Sequence, residues 1–412
     1  MWKKFINISY TDTIKSCYIK AYKEIYNTYK IQTINITIHQ KWVQKDLASY
    51  LTQIYKKTYK EVIDFLRNEC KNDDIYINTF EESITSDIHY IKKELGQSYT
   101  KNYVLFTDKS IERAVAQKNQ KNTIIPKYKS GALENIITQE EMMYPYIIKP
   151  THGVQSAWVA LIRSEKDIQE YKEKQQKLEQ RMQKKWLETN HYIIEEYVDG
   201  PMFTMTYFVD NNGNITLYWY DKVETLYDLG INDFSLFARI IEPLSEEIKK
   251  KIQKIAKETV NIFTIRNVFI YQDIKIDSNG EAKIIEINGR IWWFRLEMYD
   301  YAYGINLLKY IVPSYQPIPQ KTKNIIAISL RPIKNNIKRT WINKNIWSKI
   351  ESLSSYKKSK ILKHKLNTII WFAKYWHTRV WSMILEHNDH KQLMQDYTTI
   401  KNIYKDILLY TN

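Results

Sequence analysis

Three oxygen-bearing side chains, Asp273, Glu286 and Asn288, interrupt stretches that otherwise read as buried β-strand. In KIIEIN (283–288) residues two apart share a side, so Ile284, Glu286 and Asn288 lie on one face and Ile285 and Ile287 on the other. A carboxylate buried there without a partner costs on the order of several kcal/mol, so something must sit opposite it. Asp273 lies in the preceding strand, and a hairpin paired in register brings all three oxygens to one side. Converging hard donors of this kind suit Mg²⁺, which prefers carboxylate and phosphate oxygens. Gln272 precedes Asp273, and a one-residue slip of register would exchange them; Asp273 is the expected ligand.

Two cations upstream complete a phosphate site. Lys149 ends the strand-like YPYIIKP (144–150), and Lys109 sits in LFTDKS. The loop after Lys149 carries Gly153 and Ser156, where backbone N–H groups can close over phosphates.

The elements that must hold these residues follow from pattern. AWVALI (157–162) reads as a strand, then Ser164 and Asp167 open a long helix that is polar on nearly every side. HYIIEEYVDG (191–200) is a strand running into a turn. MFTMTYFVDNNGNITLYWYDKV is a hairpin with Asn-Gly at its tip, and a helix is expected near 245–262. VFIYQDIKIDSNGEAKIIEING gives the second hairpin, turning at 278–280. Residues 1–100 alternate β-rich pieces (INITI, IYINTF) with helical stretches such as KDLASYLTQIYKKTYKEVIDFLRNEC, a small α/β domain. No Gly-rich strand-to-helix turn appears there, so nothing supports a dinucleotide fold. After the proline-bearing connector 311–324, one strand (NIIAISL) and then basic, Trp-rich helices are expected. Ile369, Ala373, Trp376, Val380 and Met383 fall at helical spacing. That stripe suits docking onto the protein itself, a membrane surface or a partner helix.

With 412 residues and 44% hydrophobic content the chain holds two or three packed domains, which excludes a disordered chain. The net charge, 62 − 46 = +16, favours anionic partners but reflects general lysine richness equally well. No nucleic-acid module is recognised, so no nucleic-acid partner is expected. Two cysteines without metal or redox spacing, no signal-peptide core and no uninterrupted apolar run of spanning length point to a cytoplasmic protein.

Residues 86–310, taken in order, resemble the ATP-grasp family. IKKELGQSYTKNYVLFTDKS is similar to the segment leading to the family's first phosphate-binding lysine, here Lys109. YPYIIKPTHGVQSAWVALIRSEKDI resembles the strand bearing the second lysine, here Lys149, and the mobile loop that follows. YIIEEYVDGPMFT resembles the hinge whose adenine contacts fall on Glu195 and the backbone of Glu196, Tyr197 and Val198. YQDIKIDSNGEAKIIEINGR resembles the metal-binding hairpin, with ligands at Asp273, Glu286 and Asn288. The spacing 286 − 273 = 13 is similar to that of D-alanine–D-alanine ligases. EINGRIWWFRLEMYDYAYGINLL is similar to the E-N-x-R-F-W-G-S segment of carboxylate–amine ligases related to carbamoyl phosphate synthetase and biotin carboxylase. Met202 departs from the pattern, standing where the family commonly has an acid on the ATP ribose.

The resemblance implies an α/β architecture with an N-terminal domain (1–100), a two-part ATP-grasp core (101–312, lid about 144–200) and a mostly helical C-terminal extension (313–412). It implies ATP with Mg²⁺ or Mn²⁺ as cofactors. The reaction it implies is activation of a small-molecule carboxylate as an acyl phosphate, which an amine then captures. Arg290 would meet the transferring phosphoryl group or the substrate carboxylate, and Lys222 is a further phosphate candidate. A phosphotransferase, or a degenerate nucleotide-binding or membrane-associated scaffold, are the rival readings. The oligomeric state is unreadable from the sequence.

Overall fold

The computed structural model describes residues 4–10, 16–38, 45–70, 74–119, 121–137, 144–152, 156, 158–182, 191–291, 293–312, 315, 323–334, 339–361 and 381–411. Near the N-terminus, β1 (Lys4–Ser9), β2 (Gln32–Ile38), β3 (Lys45–Ala48), β4 (Leu51–Lys56) and β5 (Ile75–Asn78) form a sheet ordered β3-β4-β2-β1-β5. Only β3 pairs antiparallel. Ile6, Ile36 and Ile77 on one face pack with Val62 and Leu66 of α2 (Tyr59–Glu69) and Ile88 of α3 (Thr85–Glu94). The other face, through Phe5 and Tyr76, packs with Tyr18 and Tyr22 of α1 (Ser16–Tyr29).

The stretch 45–70, expected to be helical, is a hairpin followed by α2. Tyr50, Thr52, Ile54 and Tyr55 suit a pleated strand, and Thr58 starts the helix only afterwards, its side chain accepting from the Glu61 amide.

After α4 (Lys109–Lys118) comes a small antiparallel sheet. It is ordered β6-β9-β7-β8 from β6 (Tyr128–Ala132), β7 (Tyr146–Pro150), β8 (Ala160–Ile162) and β9 (His191–Glu196), with α5 (Leu133–Ile137) beside it. The polar helix α6 (Glu165–Met182) lies over it, held by buried Ile168 and Tyr171.

The central sheet is antiparallel throughout, ordered β14-β13-β10-β11-β12-β15-β18-β17. Its strands are β10 (Met202–Val209), β11 (Ile215–Thr225), β12 (Leu236–Ile241), β13 (Val268–Ile276), β14 (Ala282–Asn288), β15 (Asn324–Leu330), β17 (Tyr356–Ile361) and β18 (Trp381–His387). Both expected hairpins, β10–β11 and β13–β14, are present. One face packs on α7 (Glu246–Ile262), the other on α8 (Trp293–Tyr303). At the turn into this sheet Gly200 has φ +122, and a Cβ there would stand 2.0 Å from the Ile276 carbonyl oxygen, so only glycine fits.

One strand, NIIAISL, and then helices were expected after the connector; the strand is β15 (Asn324–Leu330). The described residues there include five strands: three complete the central sheet, and β16 (Arg339–Ile342) pairs with β19 (Leu408–Thr411). α9 (Lys344–Glu351) and α10 (His390–Ile403) accompany them. Met383, assigned to a helical stripe, sits on β18, where Ile384 and Leu385 continue a strand buried on both faces. Ile369, Ala373, Trp376 and Val380 lie outside the described residues. No helix among the described residues is long and apolar enough to cross a membrane.

Candidate functional site

The β13–β14 register decides what the hairpin presents. Asp273 pairs directly with Glu286, and Tyr271 with Asn288, so these four share one face. Gln272 points the other way, accepting from the Tyr207 hydroxyl at 2.9 Å and donating to Thr259 Oγ1 at 2.8 Å. A bulge follows: Asp273 opposes Glu286 but Ile274 opposes Ile284, leaving Ile285 as the extra residue.

Opposite this face lie the two lysines. Asp108 caps α4, accepting from the Ser110 amide at 2.8 Å, and so sets Lys109 at the helix start. The Lys109 ammonium is 3.0 Å from Glu286 Oε1. Lys149, near the end of β7, stands 2.6 Å from Glu195 Oε2 and donates to the Ile285 carbonyl at 3.4 Å. Lys109, Lys149, Ser156, Glu195, Glu196, Tyr197, Val198, Asp273 and Glu286 all line a single cleft of about 1030 Å³, its open mouth included. One end of that cleft is charged. The other is walled by Ile147, Tyr197, Met202, Val223, Phe234 and Leu236.

Three expected residues are not part of the cleft wall. Asn288, buried, and Arg290 do not line the cleft. Arg290 pairs with Glu82 Oε2 at 2.5 Å and lies over the Tyr271 ring. Gly289 between them is packed so closely on Phe106 that a Cβ would fall 2.8 Å from its ring. Lys222 must be corrected: Val223 and Thr225 line the cleft, so Lys222 emerges on the opposite face of β11. There its ammonium is 3.8 Å from Glu242 and 3.9 Å from Glu224. Gly153 lies outside the described residues.

Several residues escaped the sequence reading. Arg113, one helical turn after Lys109, is wholly buried; it donates to Glu195 Oε1 at 2.7 Å and to the Ile285 carbonyl at 3.0 Å, and pairs with Glu112. It therefore fixes both the partner of Lys149 and the bulge beside Glu286. Behind Asp273, the Thr204 hydroxyl donates to its carboxylate, and Arg239 donates to Thr204 Oγ1 at 2.8 Å and Asp221 Oδ2 at 2.6 Å. Asp221 also accepts from Tyr299 at 2.9 Å, and Arg295 lies 3.7 Å from it, stacked on Tyr271. The available signal was parity: Trp219, Asp221 and Val223 alternate along β11, and Arg113 is i+4 from Lys109.

These contacts set the charges. Burial pushes the Glu286 carboxyl up, but Lys109, with Lys149 and Arg290, outweighs it and holds the group below the usual carboxylate range. Glu195 likewise ends low: Arg113 and Lys149 overcome its burial. Asp273 goes the other way, raised because burial outweighs Arg239 and Arg295. Lys149 is lowered by burial, against the pull of Glu195.

The donors fit a hard divalent cation. Two carboxylates face each other on one side of the hairpin, and the buried Asn288, two residues beyond Glu286, shares that face and carries an amide oxygen. Among the described residues no three His, Cys, Asp or Glu side chains cluster, so such an ion would need the amide or ligand oxygens to complete its shell.

Residues 142–292 match the family described as the ATP-grasp domain. Over its whole length the chain has the fold of the L-amino acid ligase from Bacillus licheniformis, with TM-score 0.73 at 14% identity, 99% of this chain and 98% of that one. It is similar to the ADP complex of N5-carboxyaminoimidazole synthetase from Staphylococcus aureus, with TM-score 0.66 at 15% identity and 97% of each chain. The same holds for the biotin carboxylase domain of Hydrogenobacter thermophilus 2-oxoglutarate carboxylase, solved with MgADP, ADP and bicarbonate: TM-score 0.61 at 12% identity, 100% and 91% of the two chains. A search of curated proteins finds no similar sequence.

Proposed function

We propose that this chain, which carries an ATP-grasp domain, is an ATP- and Mg²⁺-dependent ligase that activates a small carboxylic acid as an acyl phosphate and joins it to an amine. The observation that carries the reading is the division of the cleft. At one end Asp273 and Glu286 face each other beside the ammonium groups of Lys109 and Lys149; the other end is an apolar slot beside the Glu196–Val198 backbone. That layout accepts a triphosphate at one end and a base at the other. The likeness to ligases and to a carboxylase domain solved with MgADP supports the choice of reaction.

Lys109 and Lys149 bind phosphate oxygens as point charges. Asp273, Glu286 and Asn288 would hold Mg²⁺, with Mn²⁺ as a substitute. The bound ion supplies neutralisation of the charge that builds on the β and γ phosphates during transfer. Arg290, paired with Glu82 outside the cleft wall, acts on the site through Glu286, whose carboxylate it helps hold ionised. Ser156, which lines the cleft, donates to a phosphate oxygen. The acid oxygen attacks the γ phosphorus and ADP leaves; the amine then attacks the acyl carbon, expelling phosphate and losing a proton.

The test is calorimetric binding of ATP with and without Mg²⁺ to wild type, Glu286→Gln and Lys149→Ala. Mg²⁺ should tighten binding in the wild type, Glu286→Gln should lose that gain, and Lys149→Ala should weaken binding in either condition. ADP release is then screened over acid–amine pairs. A wild type that binds no nucleotide sinks the proposal; ADP release that yields a stable phosphate ester and no amide replaces the ligase by a phosphotransferase.

A further inference from the structure

The apolar end of the cleft contains one lysine that the mechanism above does not use. Lys275 lies on β13 two residues beyond Asp273 and on the same face, about 6.7 Å further along the strand. Its direct neighbour across β10 is Met202. Both side chains line the cleft. The Lys275 ammonium donates to the Val198 carbonyl at 2.8 Å and lies 4.9 Å over the Tyr197 ring. Burial holds its pKa below the ordinary lysine value, while Asp228 and Asp199 work against that. An ammonium has three N–H donors; one is spent on Val198, leaving two for a ligand.

We propose that Lys275 is a specificity-determining residue of this site: it donates hydrogen bonds to the ribose hydroxyl oxygens of the bound nucleotide, across from a Met202 side chain that offers the sugar no hydrogen-bonding group. This rests on the nucleotide reading given above. Position argues for the sugar. The phosphates belong with Lys109, Lys149 and the carboxylate pair, and the base belongs in the slot beside Tyr197 and Val198. The Lys275 ammonium borders that slot, on the Val198 carbonyl, while its place on β13 is only two residues from Asp273, so it lies where the sugar joins the base. Chemistry argues the same way, since an ammonium only donates and a hydroxyl oxygen accepts. The Val198 bond holds the ammonium in place, so little side-chain freedom is lost on binding.

The test compares ATP with 2′,3′-dideoxyATP, both with Mg²⁺, on wild type, Lys275→Met and Lys275→Arg. The wild type should bind ATP about tenfold tighter than the dideoxy analogue, as expected for a charge-assisted hydrogen bond. Lys275→Met should bind both nucleotides equally, near the wild type's affinity for the analogue, and Lys275→Arg should keep most of the preference. Because the readout is a ratio within one protein, general damage to the fold cancels. An equal weakening of ATP and analogue in Lys275→Met overturns the proposal and leaves Lys275 as a brace for the Val198 carbonyl. A wild type that binds ATP but ignores the missing hydroxyls also overturns it, whereas one that binds neither nucleotide removes the ATP-dependent reading itself.

Discussion

On its cleft face the central sheet presents Thr204 from β10, Asp221 from β11, Arg239 from β12, Asp273 from β13 and Glu286 from β14. On the other face β10, β13 and β14 present Phe203, Met205, Ile270, Ile274 and Ile287 to Ile252, Ile255 and Val260 of α7. The backbone is shared; only side-chain parity differs. The apolar face gains stability from area removed from water, which is indifferent to small displacements. The polar face spends stability, because each buried charge is tolerated only where an opposite charge meets it, and those matches fix positions to a fraction of an ångström. A sheet divided in this way separates the residues that keep the chain folded from those that hold a ligand.

The comparison breaks most visibly at Asp221, the buried carboxylate that receives Arg239 and Tyr299 and neighbours Arg295. Asp221→Ala leaves two buried arginines without their anion. We expect a loss of about 3–5 kcal/mol in urea unfolding, together with weaker Mg²⁺-dependent nucleotide binding as the Arg239–Thr204–Asp273 chain loosens. Unchanged stability would mean that the arginines find other partners and that the polar face is not matched charge by charge.

Ile270→Ala probes the other face. Ile270 is fully buried against α7, and its truncation should cost about 2–5 kcal/mol. Nucleotide affinity of the folded protein should stay within about twofold. An affinity loss comparable with that of Asp221→Ala would show that the two faces are coupled rather than divided.

Lys92 on α3 sharpens the rule from outside the sheet. It is buried, donates to the Asn267 carbonyl at 2.6 Å and lies over the Tyr76 ring, with no carboxylate paired to it among the described residues. Burial lowers its pKa to about 7. An unfolded lysine titrates near about 10.4, so between about pH 7 and 10 the unfolded chain holds more protons and stability rises with pH. The slope from this group is at most about 1.4 kcal/mol per pH unit. Lys92→Met should remove that slope between pH 7 and 9, which thermal unfolding at fixed ionic strength will show. A slope that survives the substitution belongs to another group.

Much of this arrangement was legible in the chain. KIIEIN and YQDIKI announce their own parity, and the turn at 278–280 fixes the hairpin that pairs Asp273 with Glu286. Asp221 and Arg239 were not legible, because their meaning lies between strands: the Asn-Gly hairpin places β10 beside WYDKV, but nothing in it says that β12 will flank the other side. The segment 45–70 misled for the opposite reason. Its lysines and leucines suit a helix, yet the pairing of β4 with β2 prevails over that local preference in the first half. The C-terminal strands were hidden likewise, since β17 (YKKSKI) reads as a polar surface piece until β18 is beside it.

Lys222 makes the smallest predicted effect and the cleanest control. Chemistry alone recommends it for a phosphate site: it is a lysine in the second strand after the hinge, one residue from Asp221. Geometry removes it, since that single residue of offset turns its ammonium to the far side of β11, toward Glu242 and Glu224. Those contacts, at 3.8 and 3.9 Å and partly exposed, contribute little. Lys222→Ala should therefore shift unfolding by no more than about 0.5 kcal/mol and leave ATP affinity unchanged. A tenfold loss of affinity would place the ammonium in the cleft during binding, and would require β11 to change register when nucleotide enters. The division between the faces would then be a property of the empty cleft alone.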